Sequence, residues 1–165
     1  MENRLNKFID EQILALKLLY DKSLITPLLM ILYATIDIFG YISGFGFETF
    51  VKKYMQPNLK DISPADLWGG RCAMLHSNSP KSEHSQKGKA RQIMYSWGTA
   101  NVDLLKTLIK NSEEPQNFVA IKIETLCNSL ITGIEEFKGE IEKNIKLQDI
   151  CSMKVKEFYC NTKVQ

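Results

Sequence analysis

The sequence predicts a mainly α-helical protein: an antiparallel helical bundle carrying a small β-hairpin in its second half. Three observations point there. Apolar residues recur at helical spacing over about 4–21 and 124–158. The segment from Leu24 to Phe47 is apolar nearly all round, as a helix surrounded by others should be. Between these regions one short run, Arg91 to Trp97, alternates with strand periodicity. Short connections favour antiparallel neighbours. The 165 residues fit one domain, 1–165, able to bury a core. Hydrophobic residues at 44% and charged residues at 24% are ordinary for a globular chain. A net charge of +2 is too small for a general nucleic-acid coat, so any affinity for RNA has to come from a local patch.

The first helix is expected over about Arg4 to Asp21, where Leu5, Phe8, Ile9, Ile13 and Leu16 belong to a broad apolar stripe opposite charges. Ser23 or Thr26, followed by Pro27, restarts the chain as a second helix. From Leu24 to Phe47 the only charge is Asp37, and the segment is long enough to span a bilayer. Pro27 near its start, Gly40, Gly44 and Gly46 at its end and Asp37 near its middle argue otherwise. A lone central Asp costs about 2.5–3.5 kcal/mol on insertion. The expectation is a buried central helix and no membrane partner. A third helix covers about Glu48 to Met55, and Pro57-Asn58 marks a loop.

The best start signal follows. Ser63 caps, Pro64 takes the first helical position and Asp66 stands at the capping-box place. Of the residues on this helix, Leu67, Met74 and Leu75 should face the core, and Pro80 ends it near Asn78. Gly69-Gly70 would weaken the helix, which predicts close approach of another backbone, from a core helix or a second subunit. Residues 77–89 form a polar loop. Arg91, Ile93, Tyr95 and Trp97 alternate with Gln92, Met94 and Ser96 as a strand. A helix capped by Asn101 follows over about Val102 to Lys110. Phe118 to Ile123 reads as a second strand pairing with the first; the rival reading extends the next helix back to Phe118. Helices over about Glu124 to Asn144 and Leu147 to Phe158 complete the chain.

Cys72, Cys127, Cys151 and Cys160 show no CxxC spacing. Cys151 and Cys160 on one helix would stand about 13 Å apart, too far for a bridge. Free thiols and an N-terminus without an apolar signal core predict a cytoplasmic protein.

Arg71-Cys-Ala-Met-Leu-His76 carries the chemistry. Arginine offers a planar fork of donors suited to phosphate oxygens, and histidine exchanges a proton near neutral pH. Together they are the minimum kit for cleaving a phosphodiester without a metal. Five residues turn a helix by about 500°, leaving the two side chains roughly 140° apart around the axis. Either Arg71 reaches around with its long stem, or the helix frays at His76, or a homodimer combines two motifs. Asp37, alone in its apolar helix, either makes a structural hydrogen bond or pairs with Arg71 and orients the guanidinium. Lys81, Lys87, Lys89 and Arg91 against Glu83 make a local positive excess able to hold RNA backbone. Tyr95 and Trp97 are read as core, or as stacking surfaces for bases. Cys72 and His76, four apart with a distant His84, lack a fourth ligand for zinc. As a thiolate pair they lack an orienting group. No metal is expected, and with no phosphate loop, dinucleotide fingerprint, GxSxG or HExxH, no cofactor.

A mostly helical small protein with this R-x4-H motif, Arg71 to His76, near the end of a capped helix resembles the HEPN superfamily. Those helical bundles include metal-independent endoribonucleases: toxins, antiviral effectors and RNA-processing enzymes. The resemblance covers about residues 4–145. It implies Arg71 as the contact to the scissile phosphate and His76 as general base or acid; Asp37 and Cys72 are read as supporting residues beside them. RNA is then the substrate, cut through its 2′-hydroxyl to a 2′,3′-cyclic phosphate and a 5′-hydroxyl, and DNA is not cut. It further implies a homodimer and, for the toxin members, an antitoxin protein as partner. The place after the arginine, often polar in the family, holds Cys72, and the place two after the histidine, a Tyr in some toxins, holds Asn78. The alternative is a HEPN-like module without catalysis, binding RNA, nucleotide or a protein.

Overall fold

The computed structural model describes residues 2–157. The protein is mainly helical: α1 (Glu2–Asp21), α2 (Ile25–Ser43), α3 (Phe47–Phe50), α4 (Pro64–Ser77), α5 (Glu83–Gln86), α6 (Val102–Lys110), α7 (Ile123–Lys143) and α8 (Ile145–Lys156), with strands β1 (Gln92–Ser96) and β2 (Phe118–Lys122). Phe158 and Cys160 lie outside the described residues. Cys72, Cys127 and Cys151 are free thiols, and burial pushes Cys127 and Cys151 up to about 11.

α2 is the central post, packed against α1, α3, α4, α7 and α8. Its apolar residues explain that position. Leu28, Leu32, Tyr33, Ile36, Phe39 and Ile42 are fully buried, each contributing roughly 1.5–3 kcal/mol. The Phe39 ring meets those of Phe8, Phe50 and Phe137 at 5.7–5.9 Å. By length and composition alone α2 could cross a membrane, and 50% of that stretch is buried inside the protein. Gly44, with φ +77°, ends α2 in the left-handed region that favours glycine.

α3 runs on through a wide turn, Val51–Met55, in which the Gln56 N–H donates to the Val51 carbonyl. Such a turn leaves carbonyls without their usual partner. Ser129 of α7 donates to that of Met55 at 2.8 Å.

The hairpin expected from the sequence is corrected. β1 and β2 are parallel, in the register Ile93↔Val119 and Tyr95↔Ile121. Residues 97–117 connect them and include α6, which lies against both strands. Parallel strands need such a crossover, usually helical, where a hairpin needs a tight turn. The rival helical reading of Phe118 fails as well, because α7 begins at Ile123. The polar loop 77–89 holds the unforeseen α5, started by Ser82, whose hydroxyl accepts from the Ser85 N–H.

Candidate functional site

α4 begins as its sequence predicts. Ser63 Oγ accepts the Asp66 N–H at 3.1 Å, and Asp66 Oδ2 accepts the Ser63 N–H at 2.9 Å. Asp66 also receives Arg91, its backbone N–H at 2.7 Å and Nη2 at 2.6 Å. Arg91 Nη2 reaches the Asp61 carbonyl as well, at 2.7 Å. Asp66 is 2% exposed. Burial alone would raise its pKa, but the Arg91 and backbone hydrogen bonds hold it below the usual carboxylate value. Arg91, expected on the RNA-binding rim, is thus the pin fixing the start of α4 to the chain entering β1. Lys87 is exposed and paired with Glu83, and Lys81 and Lys89 are exposed.

The two glycines of α4 make room for side chains of the same chain rather than for a backbone. A Cβ on Gly70 would stand 2.4 Å from the Tyr33 hydroxyl, and one on Gly69 2.8 Å from the Ala90 Cβ. Tyr33 and Tyr95 join their hydroxyls at 2.5 Å, and burial pushes both phenols well above their ordinary pKa, so both stay neutral. Tyr95 is thereby largely a core residue, whereas Trp97, just past β1, is 47% exposed. Leu67 is buried as expected, with Met74 and Leu75 packed against the core edge.

Arg71 stands where three groups converge. Its Nε and Nη2 both donate to Asp37 Oδ2, at 3.0 and 2.5 Å. Its guanidinium lies 5.1 Å from the Trp68 ring centre, a cation–π contact. Its Nη1 lies 3.1 Å from His76 Nε2. Burial works against the charge, but the Asp37 hydrogen bond and charge, with a smaller contribution from Cys72, raise the Arg71 pKa above its ordinary value. Arginine has no acceptor, so Nη1 donates and His76 Nε2 accepts.

α4 stays helical through His76 and ends at Asn78, which takes the left-handed conformation (φ 45°) that asparagine tolerates. Within the chain, the long arginine stem bridges the angle around the axis. His76 is exposed, and the Arg71 side chain keeps 20% exposure. Phosphate oxygens can thus reach donors whose other end is fixed. Cys72, next to Arg71 in the chain, is partly buried. A cavity of about 220 Å³, lined in part by Gly70, Met74, Asn78 and Tyr95, lies on the other flank of α4.

Sequence reasoning missed two neighbours of this pair. Trp68 precedes Arg71 by three residues, a spacing that puts two side chains together on a helix, and that was the available signal. His84 donates nothing to a motif and had none. Its Nε2 accepts the Trp68 indole N–H at 3.2 Å. Among the described residues no three His, Cys, Asp or Glu side chains are grouped to hold a metal ion. No family model, curated protein or solved structure matches this chain.

Proposed function

We propose that the chain is a metal-independent endoribonuclease of the HEPN type, its helices the family's bundle and Arg71 and His76 its catalytic pair. The observation that carries this reading is the 3.1 Å contact between Arg71 Nη1 and His76 Nε2 at the protein surface. Asp37 holds the guanidinium from behind and the Trp68 ring lies against it, so its outer N–H groups are preorganised for a phosphate. An incoming phosphodiester takes over the Nη1 donor and frees the His76 lone pair. That lone pair removes the proton of the RNA 2′-hydroxyl. The 2′-oxygen then bonds to phosphorus, and the 5′-oxygen leaves with a proton from a second His76 across the homodimer, present there as the doubly protonated imidazolium. The products are a 2′,3′-cyclic phosphate and a 5′-hydroxyl. On this reading the protein acts in the cytoplasm on RNA, as a toxin or defence protein, with an antitoxin as partner in the toxin case. Exposed Lys81, Lys87 and Lys89 add salt-sensitive backbone contacts.

A second reading, a HEPN-like module that binds RNA, nucleotide or protein without cutting, is favoured by Asp37. Its carboxylate neutralises much of the charge that a transition state needs. Incubation of diverse RNAs with the protein in EDTA separates the two. Cleavage by wild type, lost in both Arg71→Ala and His76→Ala, is the expected result. RNA binding without cleavage would favour the module.

A further inference from the structure

Beside the Arg71–His76 contact, three side chains converge on Trp68. Its indole N–H donates to His84 Nε2 at 3.2 Å, and the two rings meet edge to face at 6.3 Å. Phe47 meets the same indole edge to face at 5.2 Å. The Arg71 guanidinium rests 5.1 Å from its ring centre. An indole N–H can only donate, so the contact requires the lone pair on His84 Nε2. Ring packing alone leaves an indole free to choose which edge it presents; a directed N–H bond removes that freedom. Gly69 leaves room for the chain at Ala90, while the His84 Cβ stands at ordinary contact distance from where a Cβ would be. A Cβ there would stand 2.8 Å from the Ala90 Cβ and 4.0 Å from that of His84. The Ser82 cap fixes the short helix carrying the histidine.

We propose that His84 is a positioning residue for Arg71, acting through Trp68: its acceptor nitrogen sets the tilt of the indole face on which the guanidinium rests. The claim rests on Arg71 and His76 being the functional pair. Asp37 holds the guanidinium from one side through a single oxygen, which leaves rotation about that contact open. The indole face closes off that rotation, so that Nη1 points at His76. His84 touches no substrate in this scheme.

The test compares two replacements of opposite kind. His84→Phe keeps a ring against the indole and removes the acceptor. His84→Gln loses the ring and keeps an acceptor oxygen at similar reach. In ¹H–¹⁵N spectra, His84→Phe should shift the Trp68 indole N–H and the Arg71 Nε–H, while Trp97, 47% exposed, serves as internal reference. His84→Gln should leave both signals near their wild-type positions. In cleavage assays His84→Phe should lower kcat about tenfold with KM within about twofold, as expected when a catalytic group is misplaced, and His84→Gln should restore it. Trp68→Phe, which removes the donor and keeps a ring, provides an independent arm and should move the Arg71 Nε–H in the same way. An Arg71 signal unmoved in both His84→Phe and Trp68→Phe overturns the proposal, as does Phe performing as well as Gln at position 84. If wild type cleaves no RNA, the nuclease reading falls, and the two N–H signals still decide the positioning role.

Discussion

Arg71 shows how little of a residue's chemistry lies in its identity. The same guanidinium on an open helix would be one more solvated cation; here it donates to Asp37 and His76 and rests on Trp68. The Asp37 pair is partly exposed, so its net contribution to stability is small, about 1 kcal/mol or less. Its value is orientation. Asp37→Ala is therefore expected to cost no more than about 1 kcal/mol in a denaturant titration while cutting RNA cleavage by about tenfold or more. Equal losses in both would make Asp37 merely structural. Asp66 is the opposite case, buried and bonded to Ser63 and Arg91. Its folded pKa is depressed, so its contribution is present above the unfolded value, near 4, and is lost as pH falls through the folded one. Asp66→Asn should cost about 1–2 kcal/mol at pH 7 and flatten the fall of stability below about pH 4. Urea midpoints across pH 2–7 would reveal a steep acid limb persisting in the variant, were another carboxylate responsible.

At the scale of elements, α4 decides where the motif stands, and its diglycine decides how closely α4 approaches α2 and β1. Ala is normally about 1 kcal/mol better than Gly in a helix. At position 70 that gain is outweighed, because the new Cβ would meet the Tyr33 hydroxyl at 2.4 Å. Tyr33 is fully buried and bonded to Tyr95, so it cannot swing aside. Gly70→Ala should destabilise by about 1–3 kcal/mol in thermal or chemical unfolding. A more stable variant would show that α4 has slack against the core. The crossover β1–α6–β2 has a related role. By pairing residues 92–96 with 118–122, it holds Ile93 and Tyr95 against the back of α4. Motif and sheet therefore share one rigid wall.

For the whole molecule, the consequence is that a single chain already brings guanidinium and imidazole together. A homodimer, if it forms as proposed, sets two complete pairs side by side, and solution mass should be twice 18.9 kDa. If each site uses an Arg71 and a His76 of one chain, as proposed, mixing Arg71→Ala with His76→Ala protein should leave cleavage at background. Recovery of activity on mixing would mean that the working arginine and histidine belong to different subunits.

The sequence by itself determined the elements whose signals are local: the Ser63–Asp66 box, the Asn101 cap, the stripe of α1 and the apolar run of α2. Each depends on interactions within a few residues, which spacing encodes directly. It also narrowed the Asp37–Arg71 relation to two options. Only the tertiary structure could choose between them, since the partners are 34 residues apart. Strand direction escaped for the same reason: alternation specifies a strand, while the path of residues 97–117 specifies parallel pairing. So did His84 and the room left by Gly69. A hydrogen bond across sixteen residues arises from how one loop folds against a helix, a property of the packed chain that no local pattern records.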